Sequence, residues 1–333
     1  MKNKAQMSSS FNYIFALIIG GIVFMFFVGF AYQYLNFAGS VSAAELVSSL
    51  NDEFAAFSAS DSAEKTLSFS QGASFRVYEG KLMSEGQSKT IDHVIFAPFE
   101  VEGEDILLAT KSLDIPYRIG NIFYIADGTT MYILVYDAST EDVVQELQSS
   151  YNSLPQNFPV EVVSTTQIAS DLETLYELTA SYEKVRFVFF SSSEDYAEDI
   201  AAVFSSYEIL EVSSSLEDYS SGEVLYPNGE GVVYIQYPLL IGAIVSGDAY
   251  SYNYNFQNVL EKLARVTGVY YDKTKLVATR LPNCDYASIK TALNNFKTAA
   301  GDVEGMRYAS FLAKMELVEN ANKGLGGECP EIY

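Results

Sequence analysis

The chain has little of the equipment that recognisable chemistry needs. Its 333 residues include one histidine, His93, and two cysteines, Cys284 and Cys329. No C-x-x-C spacing occurs, so no zinc-type ligand set can be assembled, and metal ligands are expected to be absent. There is no G-x-G-x-x-G and no G-x-x-x-x-G-K-[ST], the glycine-rich loops that let backbone amides approach a phosphate. A Ser-His-Asp arrangement would have to use His93, which sits in IDHVIF as if in mid-strand, and no G-x-S-x-G elbow supplies the serine. No D-x-D-x-D-G calcium loop and no N-x-[ST] sequon occur either. None of the cofactors these patterns would hold is implied.

Charge is missing from one long stretch. Between Ala5 and Ala44 there is no charged residue, and Tyr13 to Leu35 is a nearly unbroken apolar run. Roughly 20 helical residues cross a hydrocarbon core of about 30 Å, so this run is long enough to span a bilayer. Lys2 and Lys4 precede it, and by the positive-inside rule residues 1–12 stay cytoplasmic. The expected organisation is a transmembrane helix over 13–35, a juxtamembrane linker and stalk helix over 36–62, and an extracytoplasmic domain over 63–333. The expected location is the cell membrane, crossed once.

Basic residues are scarce beyond the anchor. All 43 acidic residues lie there, against 18 of the 20 basic ones, and the whole chain carries a net charge of −23. Such a surface repels phosphate backbones and anionic headgroups, which excludes nucleic acid as a partner and leaves bilayer contact to residues 13–35. The acidity suits a solvated surface, including one working at high salt. The alternative is cation binding through Glu100, Glu102, Glu104 and Asp105. With 49% apolar and 14% aromatic residues, the chain has ample material for a core. The cysteines fall on the extracytoplasmic side, where they are expected to form a disulfide closing a loop of about 45 residues; free buried thiols are the alternative.

An α/β fold is expected. The spacing of Leu46, Leu50, Phe54 and Phe57 predicts the stalk helix. A β-rich part follows, with strands at Leu67–Phe69, Ser74–Tyr78, Ile91–Phe96, Ile106–Ala109 and Asn121–Ile125, then Asp127-Gly128 as a hairpin turn into Met131–Tyr136. Next, the strands MYILVY, PVEVVS, VRFVFF and EILEVS alternate with acidic helices, the pattern of βαβ units around a buried parallel sheet, giving a Rossmann-like central part. Two strands, Glu223–Tyr226 and Val232–Tyr237, turn at Pro227-Asn228-Gly229. The C-terminal part is helical, with apolar faces at Phe256 to Val266, Ile289 to Phe296 and Phe311 to Val318.

In open α/β sheets ligands sit at the carboxyl ends of the strands. The candidate residues there are Asp137, Ser139 and Thr140 after one strand and Ser191, Ser192 and Ser193 after another. The same residue types also cap helices. A second candidate is Tyr250-Ser-Tyr-Asn-Tyr-Asn-Phe256: if extended, it lines Tyr250, Tyr252 and Tyr254 along one face for stacking on sugars or on a partner protein, and otherwise those rings pack inward.

The opening Lys2-Asn3-Lys4-Ala5-Gln6-Met7-Ser8 followed by the apolar run resembles the class III, prepilin-type signal of archaeal pilins and related surface proteins. The resemblance implies cleavage between Ala5 and Gln6, with the apolar helix retained as an anchor or a filament core. It covers about the first 36 residues, and Ser10 stands where many pilins carry glutamate. The arrangement is also similar to that of uncharacterised single-pass proteins of small-genome archaea. Three functions follow as expectations: a binding or scaffolding protein of the envelope, whose partners are other envelope proteins or itself; a minor pilin-like subunit; and a membrane-tethered enzyme using the strand-end turns.

Overall fold

Leu46, Leu50 and Phe54 recur every four residues, and with Val47 they form the buried face of a helix, α1 (45–57). The computed structural model describes residues 19–21, 23–25, 27–28, 45–84, 86–149, 153–214, 216, 219–302, 308–325 and 329–333. The proposed cleavage site at Ala5 and Gln6 and most of the apolar run lie outside the described residues. Residues 19–21, 23–25 and 27–28 of that run are helical and exposed. Among the described residues no helix is long and apolar enough to cross a membrane. The expected stalk helix is α1, but it does not stand free: it packs against the sheet that follows.

That first sheet contains β1 (Ser62–Tyr78), β2 (Lys81–Ser84), β3 (Gln87–Thr90), β4 (Val94–Phe96), β5 (Val101–Asp114) and β6 (Arg118–Asp127), in the order β3-β2-β1-β5-β6-β4. Two expected strands, Leu67–Phe69 and Ser74–Tyr78, are one strand, β1, whose register against β5 slips between Ser68 and Ala73. Gly72 sits in that bulge at φ +73°, and the polar, glycine-containing interruption is what made the sequence read as two strands. The expected strand Ile91–Phe96 is shorter, so His93 lies in a bend before β4 rather than in mid-strand.

Asp127-Gly128 is not a hairpin. β6 pairs with β4 and β5, whereas the next strand, β7 (Thr130–Tyr136), joins a second sheet. Asp127 Oδ1 accepts hydrogen bonds from the Thr129 amide (3.2 Å) and hydroxyl (2.9 Å), so the side chain makes the turn while strand pairing is decided elsewhere. The second sheet adds β8 (Val160–Ser164), β9 (Lys184–Phe189), β10 (Tyr207–Ser213), β11 (Ser221–Leu225) and β12 (Gly231–Ile235), in the order β12-β11-β10-β9-β7-β8. As the alternation of strand and helix predicts, β8, β7, β9 and β10 are parallel, while β11 and β12 form an antiparallel hairpin. The crossovers carry α2 (Glu141–Ser149), α3 (Thr165–Ser170), α4 (Leu172–Thr179) and α5 (Ala197–Val203). The single helix expected over Thr165 to Tyr182 is broken at Asp171, whose φ of −147° and ψ of 41° are not helical.

The sheets are joined by a helix the sequence pattern conceals. α6 (Gln236–Val245), QYPLLIGAIV, is buried at every residue from Tyr237 to Val245. It is apolar all round, so it has no amphipathic period to find, and its first residues extend the alternation of β12. Tyr124 of the first sheet donates its hydroxyl to Pro238 O (2.7 Å), and Tyr226, just past β11, to Ala243 O (2.7 Å). The large core thus holds α6 between one face of each sheet; α1 covers the outer face of the first sheet, and α3, α4 and α5 the outer face of the second.

Gly242 is what lets α6 fit. A Cβ there would lie 2.7 Å from the ring of Phe96, which is fully buried and stacked on Tyr252 at 5.4 Å. Gly242→Ala is therefore expected to lower stability by about 1–3 kcal/mol in urea denaturation, although alanine is the better helix former by about 1 kcal/mol.

The helical C-terminal part consists of α7 (Ala249–Arg280), α8 (Ala287–Gly301) and α9 (Tyr308–Lys323), with the apolar faces expected from their spacing. Cys284 and Cys329 form a disulfide. It fixes a tail in which Ile332 is fully buried, its amide donating to Asn322 Oδ1 (2.7 Å), and Tyr333 packs on Tyr117 and Tyr270.

Candidate functional site

The parallel strands place one crevice in the molecule by topology. From β7 the chain leaves through α2 to β8 on one side; it then crosses to β9 and continues through α5 to β10 on the other. Connections diverge between neighbouring strands β7 and β9, which is where a doubly wound sheet opens beyond its carboxyl ends. Asp137, Ser139 and Thr140 follow β7, and Ser191, Ser192 and Ser193 follow β9, so these candidates flank the switch point.

Their polar groups are largely turned inward on the backbone. Asp137 Oδ1 accepts from the Ser139 amide (2.7 Å) and hydroxyl (2.6 Å) and from the Thr140 hydroxyl (3.3 Å). Thr140 is buried, its carbonyl accepting from the Val144 amide as the first bond of α2. Across the crevice the Ser193 amide donates to Glu211 Oε1 (2.7 Å) and the Glu194 amide to Ser192 Oγ (3.3 Å). Ser191 Oγ is buried with no partner among the described residues. Tyr219, in the left-handed region at φ +48°, reaches in from the connection after β10, and its hydroxyl donates to Phe190 O (3.3 Å). Burial, then the charge of Asp137, push its hydroxyl pKa upward. The crevice is thus lined by a turn that Asp137 closes on its own neighbours and by the unpartnered Ser191 hydroxyl, and a tyrosine side chain enters it.

The Ser139 hydroxyl, with the neighbouring donors, outweighs desolvation and holds the Asp137 carboxyl below its ordinary pKa. A lowered folded-state pKa means stability present above about pH 4 and lost as pH falls through the folded value. Asp137→Ala is expected to cost about 1 kcal/mol at neutral pH, as loss of a side-chain hydrogen bond that closes a turn does. The gap between the variant and the unmutated chain, read by denaturant midpoint, is expected to close below about pH 4.

The tyrosine segment is not extended. Residues 250–256 form the first turns of α7, whose start is fixed by Asp248 Oδ1 accepting from the Ser251 amide (2.7 Å). A spacing of two in an extended chain becomes two spacings of four on a helix, so the aromatics divide. Tyr252 and Phe256 point into the core and stack at 5.8 Å, while Tyr250 is exposed, stacks on Tyr78 at 6.0 Å and donates to Glu79 Oε1 (2.6 Å). Tyr254 lies against Gly80 in the turn between β1 and β2. The three tyrosines therefore share no common face. The capping Asp248, and the absence of Gly and Pro from Ala249 to Thr267, were the signals for helix.

A buried ion pair lies in the second sheet, where the sequence pattern alone does not reveal it. Arg186, in the middle of β9, is 2% exposed and directly opposite Tyr132 on β7 and Glu208 on β10. Its guanidinium donates to Ile244 O (2.7 Å) and Ser246 O (2.8 Å) at the C-terminal end of α6, and to Glu208 Oε2 (2.8 Å). Burial disfavours both charges, but their attraction, joined by Lys184, keeps Arg186 protonated and Glu208 below its ordinary range. The signal for it was a lone cation inside an apolar strand, VRFVFF. Its chemistry is structural: it binds a helix end to a sheet.

Among the described residues no group of three His, Cys, Asp or Glu side chains is arranged to hold a metal ion. Arg76 and Ser74 engage Glu100 and Glu102, and Ser68 engages Asp105, so three of the four acidic loop residues considered for cations have partners within the protein. Compared with protein-family models, curated proteins and solved structures, the chain matches none.

Proposed function

We propose that the chain is a single-pass membrane protein whose acidic α/β domain lies outside the cytoplasm and serves a binding or scaffolding role at the cell envelope. The observation that carries this reading is the uncharged stretch from Ala5 to Ala44 with its apolar run from Tyr13 to Leu35, preceded by Lys2 and Lys4. The disulfide between Cys284 and Cys329 supports it, because such bonds persist in oxidising compartments. So does the state of the switch point: the donors from Ser139 and Thr140 hold the Asp137 carboxyl below its ordinary pKa, which makes it a weak general base for an enzyme built on the strand-end turns. The partners of this reading are the bilayer, through residues 13–35, and other envelope proteins or further copies of the chain. Alkaline carbonate extraction of membranes tests the anchor: the full chain stays in the pellet, and release into the supernatant would remove the reading.

The motif Lys4-Ala5-Gln6 favours a second reading, a minor pilin-like subunit whose apolar helix packs in a filament. N-terminal sequencing of the mature protein separates the two. A start at Gln6 supports the subunit, and a start at Met1 or Lys2 excludes it.

A further inference from the structure

The amine of Lys262 occupies an unusual place for a cation in so acidic a chain. Lys262 lies on α7, half-buried, and its side chain crosses the backbone of Gly120 on β6. Gly120 has a φ of +146°, a conformation strained for any other residue, and a Cβ there would sit 2.6 Å from Lys262 Nζ. Beside the amine is a small, apolar cavity of about 10 Å³, walled by Val94, Leu113, Ile122 and Val259. That is room for about one oxygen atom.

No carboxylate answers this charge. Among the described residues Lys262 has no hydrogen-bond acceptor and no ion-pair partner. The nearby charges are accounted for: Glu261 pairs with Arg265 (3.0 Å), Asp61 pairs with Arg118, and Arg118 also donates to Asn121 Oδ1 (2.9 Å). Arg265 adds a like charge to the burial that already opposes the ammonium, and both push the Lys262 pKa down. The same field reaches His93: burial, then Lys262, lower its pKa, against an opposing contribution from Asp92. A half-buried cation with a cationic neighbour, a cavity the size of one oxygen and a glycine beside it lack one component, a negative oxygen.

We propose that Lys262 anchors a site for a small oxyanion, a carboxylate or a phosphate, one oxygen of which enters the cavity beside Gly120 and contacts the amine. The apolar walls exclude bulk water from that contact and strengthen it. The rest of the anion stays at the surface.

His93 is the only histidine, so its ring proton reports on this site without assignment. The full chain is titrated by NMR at constant ionic strength in sodium chloride, acetate or phosphate. A bound oxyanion cancels the field of Lys262, and the His93 midpoint is expected to rise by about half a pH unit in acetate, in phosphate or in both. In Lys262→Met the midpoint is raised already and no longer responds to the anion. Acetylation of Lys262 by an activated ester, read by mass spectrometry on the unmutated chain, is slowed several-fold by the anion that binds, a readout that does not depend on the variant folding. A response to acetate alone assigns the site to carboxylates, and to phosphate alone, to phosphate. Equal midpoints and equal acetylation rates in all three salts overturn the proposal, as does a Lys262→Met chain that responds like the original.

Discussion

Arg186→Met lowers the free energy of unfolding by about 3–5 kcal/mol, the cost of breaking a buried ion pair by removing one partner. The loss has two origins. Among the described residues Glu208 then keeps only Lys184 as a counter-charge, and the carbonyls of Ile244 and Ser246 lose their donor at the end of α6. Helix ends leave carbonyls without intrahelical partners, and a cation there also answers the helix dipole. Because α6 lies between the two sheets, loosening its end weakens both layers. The double variant Arg186→Met, Glu208→Leu is expected to recover part of the loss, since the remaining buried charge is removed as well. Urea denaturation of the three proteins checks this, and equal stability of Arg186→Met and the unmutated chain would contradict it.

The second large effect is at the C-terminal tail. Cys329→Ser is expected to cost about 3–4 kcal/mol, the chain-entropy value for the loop that the bond closes. The bond spans a sequence separation of 45. The tail keeps other holds, namely Ile332 in the core, Asn322 bridging the Ile332 amide and the Tyr333 carbonyl, and Tyr286 donating to Pro330 O (3.2 Å). The variant therefore folds, with a lower melting temperature and faster amide exchange at Ile332. Unchanged exchange at Ile332 would mean that the other contacts alone fix the tail.

How far the fold was legible in the sequence depends on the scale at which each element is determined. The parallel strands β7 to β10 were readable because burial on both faces forces continuous apolar runs, and α8 because Ile289, Leu293 and Phe296 repeat at helical spacing. α6 was not, because a helix buried on all sides has no polar face, and only its neighbours in space distinguish it from a continued strand. Asp127-Gly128 was recognised as a turn, yet which strand β7 would pair with is settled by distant contacts that no dipeptide encodes. At the candidate site, Asp137 and Ser191 were placed at strand ends correctly, since that follows from the βαβ pattern. The carboxylate's engagement by Ser139 and the entry of Tyr219 were out of reach, for they depend on side-chain geometry and on a connection from another strand. Lys262 and Gly120 are far apart in sequence, and their meeting is a consequence of α7 crossing β6.

The placement of the domain outside the cytoplasm is the claim on which the rest of the proposed function depends. It is tested by adding a membrane-impermeant protease to intact cells and following the C-terminal domain with an antibody. The expected result is loss of the domain without lysis, and its full protection until the cells are broken would contradict the account.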